Sequence, residues 1–271
     1  MYRSLLVHLD DQAPCAARVE LAMRLARRLE CHLVGLAPAG RRPVSLGLEG
    51  SVMLEQSMEH LRRTARHTAS LFEETCRAAG LTSVESVVDT DDTARSVVNH
   101  ARCSDLVVIG QGERDDDREA VEQVVLQSAR PTLVVPYAGR LDTLAERVLV
   151  GWNDGPEAAR AVADAMPLLC RAKEVHVVQC DTPVDEVHAG DTSRKLEAVR
   201  RWLMWHGVDA QVRLEATEID VGNALLSRAA DLGADLLVMG AYGRPRWTER
   251  VLGGATRTLL ASMTLPVLMS H

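Results

Sequence analysis

The chain has 271 residues, which is enough for two domains of ordinary size that each bury their own core. Aromatic residues make up only 3% of the chain, and its formal net charge is -7. Nucleic-acid partners are therefore not expected, because their recognition needs aromatic stacking surfaces or an excess of positive charge. The 6 cysteines form no CxxC pair, which argues against a zinc site or a disulfide framework.

The sequence predicts a cytoplasmic protein that does not span or bind a membrane. The first residues, MYRSLLVHLDD, reach charged side chains after a short apolar run. No run of about 18 apolar residues, the length that crosses a membrane as a helix, occurs anywhere in the chain. Scattered cysteines without regular spacing are typical of a reduced compartment.

The chain contains the same pattern twice. LLVHLD at Leu5–Asp10 resembles VLVGWN at Val148–Asn153, and DLVVIG at Asp105–Gly110 resembles DLLVMG at Asp235–Gly240. Both openings are followed by an alanine-rich segment with apolar residues at three- and four-residue steps, and both halves close on similar runs, PTLVV and PVLMS. This similarity indicates an internal duplication.

Short apolar runs alternate with helical patterns through both halves. The clearest helix in the first half is Ser51–Ala79, and the second half has one at Val221–Ala230. Strands that are apolar on both faces and separated by helices predict buried parallel sheets. The predicted fold class is α/β, with two tandem five-stranded parallel-sheet sandwiches of Rossmann-like type. The domains are residues 1–140 and 141–271, joined by the polar linker Tyr137–Glu146.

The last strand of each half is a short apolar edge, and an exposed edge invites pairing with another strand. We therefore predict that Pro131–Pro136 lies near Pro266–Ser270, so that the two halves form an intramolecular pseudo-dimer. Association of two chains into a homodimer is left open at this point.

Only the second copy continues its strand into a series of glycines. In an open parallel sheet, ligands bind beyond the carboxyl ends of the strands, where the strand order reverses. Glycines let the backbone approach a phosphate, and a helix that starts near them directs free N–H groups at an anion. A turn and a solvated helix face would explain the same pattern without a ligand. The glycines are Gly240, Gly243, Gly253 and Gly254, and the nearby arginines are Arg244, Arg246, Arg250 and Arg257.

The spacing of Gly240, Gly243 and Gly253 resembles the G-2x-G-9x-G-[ST] nucleotide loop of the universal stress protein family. The segments WNDGPEAARAVADAMPLL and LPVLMSH are similar to the first strand-to-helix passage and the last strand of that family. The resemblance covers residues from about Arg147 to His271 and, more faintly, the first half. It implies five-stranded sheets paired through their last strands, and an adenine nucleotide held by the glycine loop with a strand-one Asp near the adenosine.

Two residues depart from that family pattern. The Ser or Thr after the third glycine is Gly254 here, with Thr256 two residues on, and the strand-one Asp is Asn153, with Asp154 adjacent. The lost hydroxyl removes a hydrogen bond worth about 0.5 to 1.5 kcal/mol. The ligand that the resemblance implies is ATP, ADP or AMP, with or without Mg²⁺. The implied nucleotide-binding residues are Asn153, Asp154, Gly155, Val178, Gly240, Gly243, Arg244, Gly253, Gly254 and Thr256.

The first copy lacks this loop. Gly110 and Pro131 are 21 positions apart, whereas Gly240 and Pro266 are 26 apart, so about five residues are missing. The remaining segment contains Asp115–Asp117, whose charges would repel a phosphate. We expect a solvated loop there, with Mg²⁺ binding as the alternative, and a first copy that has lost its ligand site.

No set of residues for catalysis is evident, since the chain has no GxSxG elbow and neither an SGGxDS nor an HxGH signature. The predicted function is that of a universal stress protein. It would be a non-catalytic stress-response regulator whose second domain binds an adenine nucleotide and which acts through contacts with unidentified proteins. A nucleotide-free scaffold on the same tandem fold is the alternative, favoured by Gly254 and Asn153. Slow ATPase activity is a third interpretation.

Overall fold

The computed structural model describes residues 1–40, 51–112, 114–139, 141–181, 186–243 and 254–271, except for the side chains of residues 51–54, 56, 181 and 186–189. The contacts within the chain divide it into two units. Unit 1 is Met1–Gly110 with Arg114–Thr132, and unit 2 is Gln111–Glu113 with Leu133–His271. The domain boundary predicted between residues 140 and 141 stays a prediction, and so does the pseudo-dimer.

The elements of unit 1 are β1 Ser4–His8, α1 Cys15–Leu29, β2 His32–Pro38, α2 Ser51–Ala78, β3 Val84–Asp89, α3 Thr93–Ala101, β4 Leu106–Gly110 and α4 Asp115–Gln127. Its four parallel strands lie in the order β3-β2-β1-β4, so the first and fourth strands are neighbours. A fifth strand, β5 at Thr132–Val135, has its first residue in unit 1 and the others in unit 2.

The other elements of unit 2 are β6 Arg147–Gly151, α5 Pro156–Leu169, β7 Glu174–Asp181, α6 Glu186–Trp205, β8 Ala210–Ala216, α7 Val221–Leu232, β9 Leu236–Gly240, α8 Gly254–Ser262 and β10 Val267–Ser270. Five parallel strands lie in the order β10-β9-β6-β7-β8, so the first strand of this half is again beside the fourth. The predicted α/β class and the alternation of strands and helices are confirmed.

The central strands are buried on both faces, as their continuous apolar runs predicted. Leu5 in β1, Val107 in β4, Leu149 in β6 and Val238 in β9 have no solvent exposure. A parallel sheet needs this pattern because the helices that connect its strands cover both of its faces. Among the described residues, no helix combines the length and apolar character needed to cross a membrane.

Helix α2 confirms the helix predicted from its apolar stripe, ending one residue earlier than expected. Ala65, Ala69, Phe72 and Cys76 on that stripe are buried. Phe72, the only phenylalanine of the chain, packs against β2 at Gly35. A Cβ at Gly35 would lie 2.5 Å from the Phe72 ring, so this position has no room for a side chain.

The expectation of a solvated loop at Asp115–Asp117 is wrong, because these residues form the first turn of α4. Carboxylates in a first turn interact favourably with the positive end of the helix dipole. Asp117 accepts a hydrogen bond from Arg114 Nε at 3.0 Å, and Asp115 accepts one from Arg118 at 3.2 Å. Three consecutive aspartates suggested a loop, but their position at a helix start makes them compatible with a helix.

One aspartate in each unit ties the fourth strand of the half to the first. Asp105 Oδ2 accepts hydrogen bonds from the backbone N–H groups of Arg3–Ser4 at 2.6 and 3.0 Å. Asp235 Oδ1 accepts the corresponding bonds from Glu146–Arg147 at 2.9 and 3.0 Å. These two residues, called the aspartate clamps below, are the first letters of the repeated DLVVIG and DLLVMG runs. Their matching contacts support the duplication.

The change Asp235→Asn is expected to lower the free energy of unfolding by about 1 to 2 kcal/mol, because hydrogen bonds to a charged acceptor are stronger than bonds to a neutral one. Urea unfolding followed by circular dichroism measures this loss. Asp231→Asn, at an exposed position of α7, is the matched control and should leave the midpoint nearly unchanged. Equal midpoints for the two variants would show that the Asp235 clamp contributes nothing.

Candidate functional site

The carboxyl ends of β6 and β9 meet at one edge of the unit 2 sheet. The two strands pair in parallel, with Val148 opposite Leu236 and Gly151 opposite Met239. The strand order reverses between them, since the chain continues from β6 to β7 on one side and reaches β9 on the other. Ligands of open α/β sheets bind at such a reversal. We call Asn153–Glu157 and Gly240–Gly243 together the β6–β9 edge.

The glycines of the β6–β9 edge allow close contact between its two loops. A Cβ on Gly240 would lie 2.5 Å from the backbone nitrogen of Ala158, so this glycine is required by packing against α5. A Cβ on Gly243 would lie 2.6 Å from Glu157 Oε2 and 3.6 Å from Asn153 Nδ2. The structure therefore places Gly243 beside the segment that follows β6.

Two non-glycine residues at this edge have a left-handed backbone. Asp154, after β6, has a φ of 57°, and Tyr242, after β9, has a φ of 56°. Such a conformation is tolerated by Asp but uncommon for a bulky residue like Tyr, and it costs on the order of 1 kcal/mol or more. Strained backbone of this kind is concentrated at functional sites.

Asn153 and Asp154 both have intramolecular partners. Asn153 Oδ1 accepts a hydrogen bond of 3.0 Å from the Gly155 N–H, which closes a turn at the start of α5. Asp154 Oδ2 accepts a bond of 2.8 Å from Lys195 Nζ on α6, and this contact raises the pKa of Lys195. With its oxygen bonded to Gly155, the Asn153 side chain presents its amide nitrogen toward Gly243.

Two other predicted residues are buried within the fold. Val178 in β7 is 1% exposed, and its carbonyl accepts a hydrogen bond of 2.9 Å from the Trp152 N–H. Thr256 in α8 is 2% exposed, and its hydroxyl accepts one of 3.4 Å from the Tyr242 N–H. The Thr256 hydroxyl thus connects α8 to the loop after β9.

Gly254 is the exposed first residue of α8. The Asp220 carboxylate, which caps α7 by accepting a 2.9 Å bond from the Gly222 N–H, lies 3.8 Å from where a Cβ on Gly254 would be. Arg257 is also exposed on α8. The other predicted residues of this loop lie outside the described residues, namely Arg244, Arg246, Arg250 and Gly253.

Sequence reasoning missed Glu157, in the first turn of α5. Its Oε2 atom is buried and has no hydrogen-bond partner among the described residues, and the same is true of Trp152 Nε1. A glutamate two residues after Gly155 looks like an ordinary helix-start residue, because acidic side chains are common in a first turn. Only the folded chain places its carboxylate against Gly243, which belongs to a different loop.

The corresponding edge of unit 1 is occupied by Arg18. Its guanidinium group donates from Nε to the His8 carbonyl at 2.8 Å and pairs with Asp10 Oδ2 at 2.7 Å. Arg18 is 3% exposed, and its Nη1 atom lies where a side chain at Gly110 would begin. From the sequence, the loss of a site here is attributed to about five missing residues and to the acidic run. The structure in addition places a buried cation of the protein itself at this edge.

Burial next to Arg18 changes the chemistry of His8. Desolvation and then the positive charge of Arg18 lower the pKa of His8 to about 4, although the nearby Asp10 partly offsets the effect. The imidazole is therefore neutral around pH 7. A buried neutral histidine beside an Arg–Asp ion pair is a core arrangement, which agrees with the interpretation of the unit 1 edge as closed.

Comparison with protein families identifies the second half of the chain. Residues 145–271 match the universal stress protein family. No curated protein matches the chain.

Solved structures extend the likeness of fold over both halves. A universal stress protein from Archaeoglobus fulgidus DSM 4304 is similar over 98% of this chain and 97% of its own, with a TM-score of 0.78 and 16% identity. A functionally unknown protein from Pseudomonas aeruginosa PAO1 is similar over 99% of this chain and 92% of its own, with a TM-score of 0.63 and 16% identity. Residues 145–271 therefore belong to the universal stress protein family, and the chain has the fold of a tandem universal stress protein.

Lowering the pH from about 6.5 to about 4 is expected to destabilise the protein through His8. Between pH 6.5, the ordinary pKa of histidine, and about pH 4, the unfolded chain binds a proton at His8 that the folded chain does not bind. The free energy of unfolding should therefore fall by about 3 kcal/mol over this range. Urea unfolding of the wild type and of His8→Gln across this range measures it, because the variant should lose that part of the pH dependence. His67→Gln, at an exposed position of α2, serves as the control. A parallel pH dependence in the wild type and His8→Gln would contradict the assignment.

Proposed function

We propose that the chain is a non-catalytic universal stress protein whose unit 2 binds an adenine nucleotide at the β6–β9 edge. The observation that carries the proposal is the position of Gly243. This glycine brings backbone from the loop after β9 against the loop after β6, where the strand order reverses. A ligand that approaches this edge can contact backbone amides directly, as phosphate binding requires.

The strained residues support a role for this edge beyond packing. Asp154 and Tyr242 hold left-handed conformations in the two facing loops, and both residues lie outside the paired residues of β6 and β9. The start of α8 at Gly254 adds the positive end of a helix dipole in the same half of the chain. By sequence, Arg244, Arg246 and Arg250 add positive charge between Gly243 and that helix.

We propose one nucleotide site per chain. At the unit 1 edge the Arg18 guanidinium group already occupies the space over Gly110, and it is neutralised by Asp10. An anion would have to displace a buried ion pair to bind there, which is costly because it leaves charges without partners.

The proposal is for binding without a reaction. Asn153 closes a turn and Asp154 pairs with Lys195, so Glu157 is the one carboxylate without a partner among the described residues of the β6–β9 edge. The protein partners, the cytoplasmic location, a role for Mg²⁺ and association into a homodimer stay predictions from the sequence.

A nucleotide-free scaffold is the second candidate, and specific contacts favour it. Thr256, whose hydroxyl is the nearest in sequence to the third glycine of the loop, is buried, and that hydroxyl is bonded to the Tyr242 N–H. Two carboxylates, Glu157 beside Gly243 and Asp220 beside Gly254, bring negative charge to positions where a phosphate would bind. Under this alternative the edge is a structural turn, and the protein works through its surfaces alone.

Nucleotide binding can be tested directly. Mass spectrometry of the denatured purified protein should release ATP, ADP or AMP, or calorimetry should detect binding of added nucleotide. Gly243→Val should weaken that binding at least about tenfold, because the new side chain would collide with the Glu157 carboxylate and push the two loops apart. Gly190→Val is the matched control, since a Cβ at Gly190 meets nothing within 4 Å.

The absence of any binding signal at millimolar nucleotide would remove the proposal in favour of the scaffold. The scaffold in turn predicts that Gly243→Val retains function in cells. Loss of cellular function in Gly243→Val, with a normally folded variant, would count against the scaffold.

A further inference from the structure

We propose that strand β8 is the surface through which two copies of this chain form a dimer. The β8 strands of the two chains pair antiparallel about a two-fold axis at Leu214, which places Arg213 of each chain opposite Glu215 of the partner subunit. The sequence left association into a homodimer open, and this inference gives the dimer an interface and a register. It does not depend on nucleotide binding.

Strand β8 is the outer strand of the unit 2 sheet. It stands at the end of the strand order and pairs with β7 over its whole length, Ala210–Ala216. Within the described residues, no backbone hydrogen bond joins β8 to a segment other than β7. The N–H and C=O groups on its outer side are therefore available to pair with another strand.

The charges on β8 are complementary to themselves. Arg213 and Glu215 are two residues apart, so their side chains lie on the same face of the strand. Arg213 is exposed and has no ion-pair partner in the described part of the chain. Glu215 contacts Arg228 Nε at 3.1 Å, but its side chain remains 30% exposed and its carboxylate can accept a further donor. Opposite charges directly across an antiparallel pair stabilise that pair.

The same charges select the register of the pair. With the axis at Leu214, both contacts between Arg213 and Glu215 form, and Leu214 lies opposite its own copy on the other face of the sheet. Leu214 is only half-buried in the single chain, so it becomes better covered. With the axis at Arg213, the two arginines would lie opposite each other, which is destabilising for like charges.

The outer strand of unit 1 lacks this complementarity. Strand β3 carries Glu85 and Asp89 and no basic residue. Two β3 strands brought together would add negative charge without an opposite charge to pair with. Charged side chains are a common protection of a sheet edge against pairing. Pairing through β8 alone uses one edge of each chain and therefore closes as a dimer.

Exposed apolar side chains lie in the segments at both ends of β8. Met204 and Trp205, at the end of α6, are 52% and 72% exposed, and Ile219, after β8, is 57% exposed. Antiparallel pairing brings the amino end of one β8 strand beside the carboxyl end of the other. Trp205 of one chain therefore approaches Ile219 of the partner subunit, on both sides of the axis. Trp, Met and Arg are enriched in protein interfaces, which agrees with this arrangement.

Analytical ultracentrifugation of the full chain tests the interface. The wild type should sediment as a dimer. Arg213→Glu should raise the dissociation constant of the dimer at least about tenfold, because it places acidic side chains opposite each other on both sides of the axis. Trp205→Ser should also weaken the dimer. Arg63→Glu, at an exposed position of α2, makes the same change in net charge and should leave the dimer intact. Circular dichroism establishes that each variant is folded.

A mixing experiment separates a contact between chains from a defect within one chain. Glu215→Arg alone also opposes like charges and should be monomeric. An equimolar mixture of Arg213→Glu and Glu215→Arg should regain the dimer, because every opposing pair then joins an acidic and a basic side chain. Mixing would not correct a structural defect in either variant.

Several results would overturn the inference. One is a wild type that is monomeric at about 0.1 mM, where a micromolar dissociation constant gives mostly dimer. Another is a dimer that Arg213→Glu and Trp205→Ser leave unchanged, since the interface would then lie elsewhere. A mixture of folded Arg213→Glu and Glu215→Arg that stays monomeric would exclude the charge contacts. Growth into open-ended oligomers would show that two different edges pair.

Discussion

The pairing of the first and fourth strands within each half positions the rest of each unit. The aspartate clamps fix this pair at its amino end, because Asp105 and Asp235 each accept two backbone N–H groups from the start of the neighbouring strand. Parallel strands in fixed register end together, so the clamp also determines which loops meet at the opposite end. The contacts at the β6–β9 edge and at the unit 1 edge both follow from this arrangement.

The two copies differ in the charge that each places at this common position. Unit 1 fills it with the Arg18 guanidinium group, which is buried and paired with Asp10. Unit 2 instead packs Glu157 against its two glycines, with the side-chain Cβ beside Gly240 and the Oε2 atom beside Gly243, and that Oε2 atom has no partner among the described residues. A buried ion pair is costly to separate, because separation leaves charges without partners, whereas the Glu157 carboxylate packs against glycine backbone. The two copies of the duplicated fold therefore differ in charge at this edge although their strand order is the same.

Much of the fold was predictable from local patterns. Buried parallel strands are apolar on both faces, so runs such as Leu106–Ile109 and Leu236–Met239 could be recognised in isolation. The stripe of α2 was equally clear, because a helix buries one face at a regular spacing. The aspartates at 115–117 were misassigned, since local composition does not distinguish a polar loop from the acidic first turn of a helix.

The sequence by itself determined the duplication, the α/β class, the strands and the glycines that mark the second copy as the one with a candidate site. These features depend on residues that are near one another in the chain, and their periodicity is visible without a structure. The tertiary structure alone decided that Arg18 reaches Gly110, that Thr256 bonds to Tyr242, and that Glu157 lies against Gly243. Each of these contacts joins segments that are far apart in the chain and are brought together only by strand pairing. The charge at each edge therefore depends on residues whose proximity the sequence does not show.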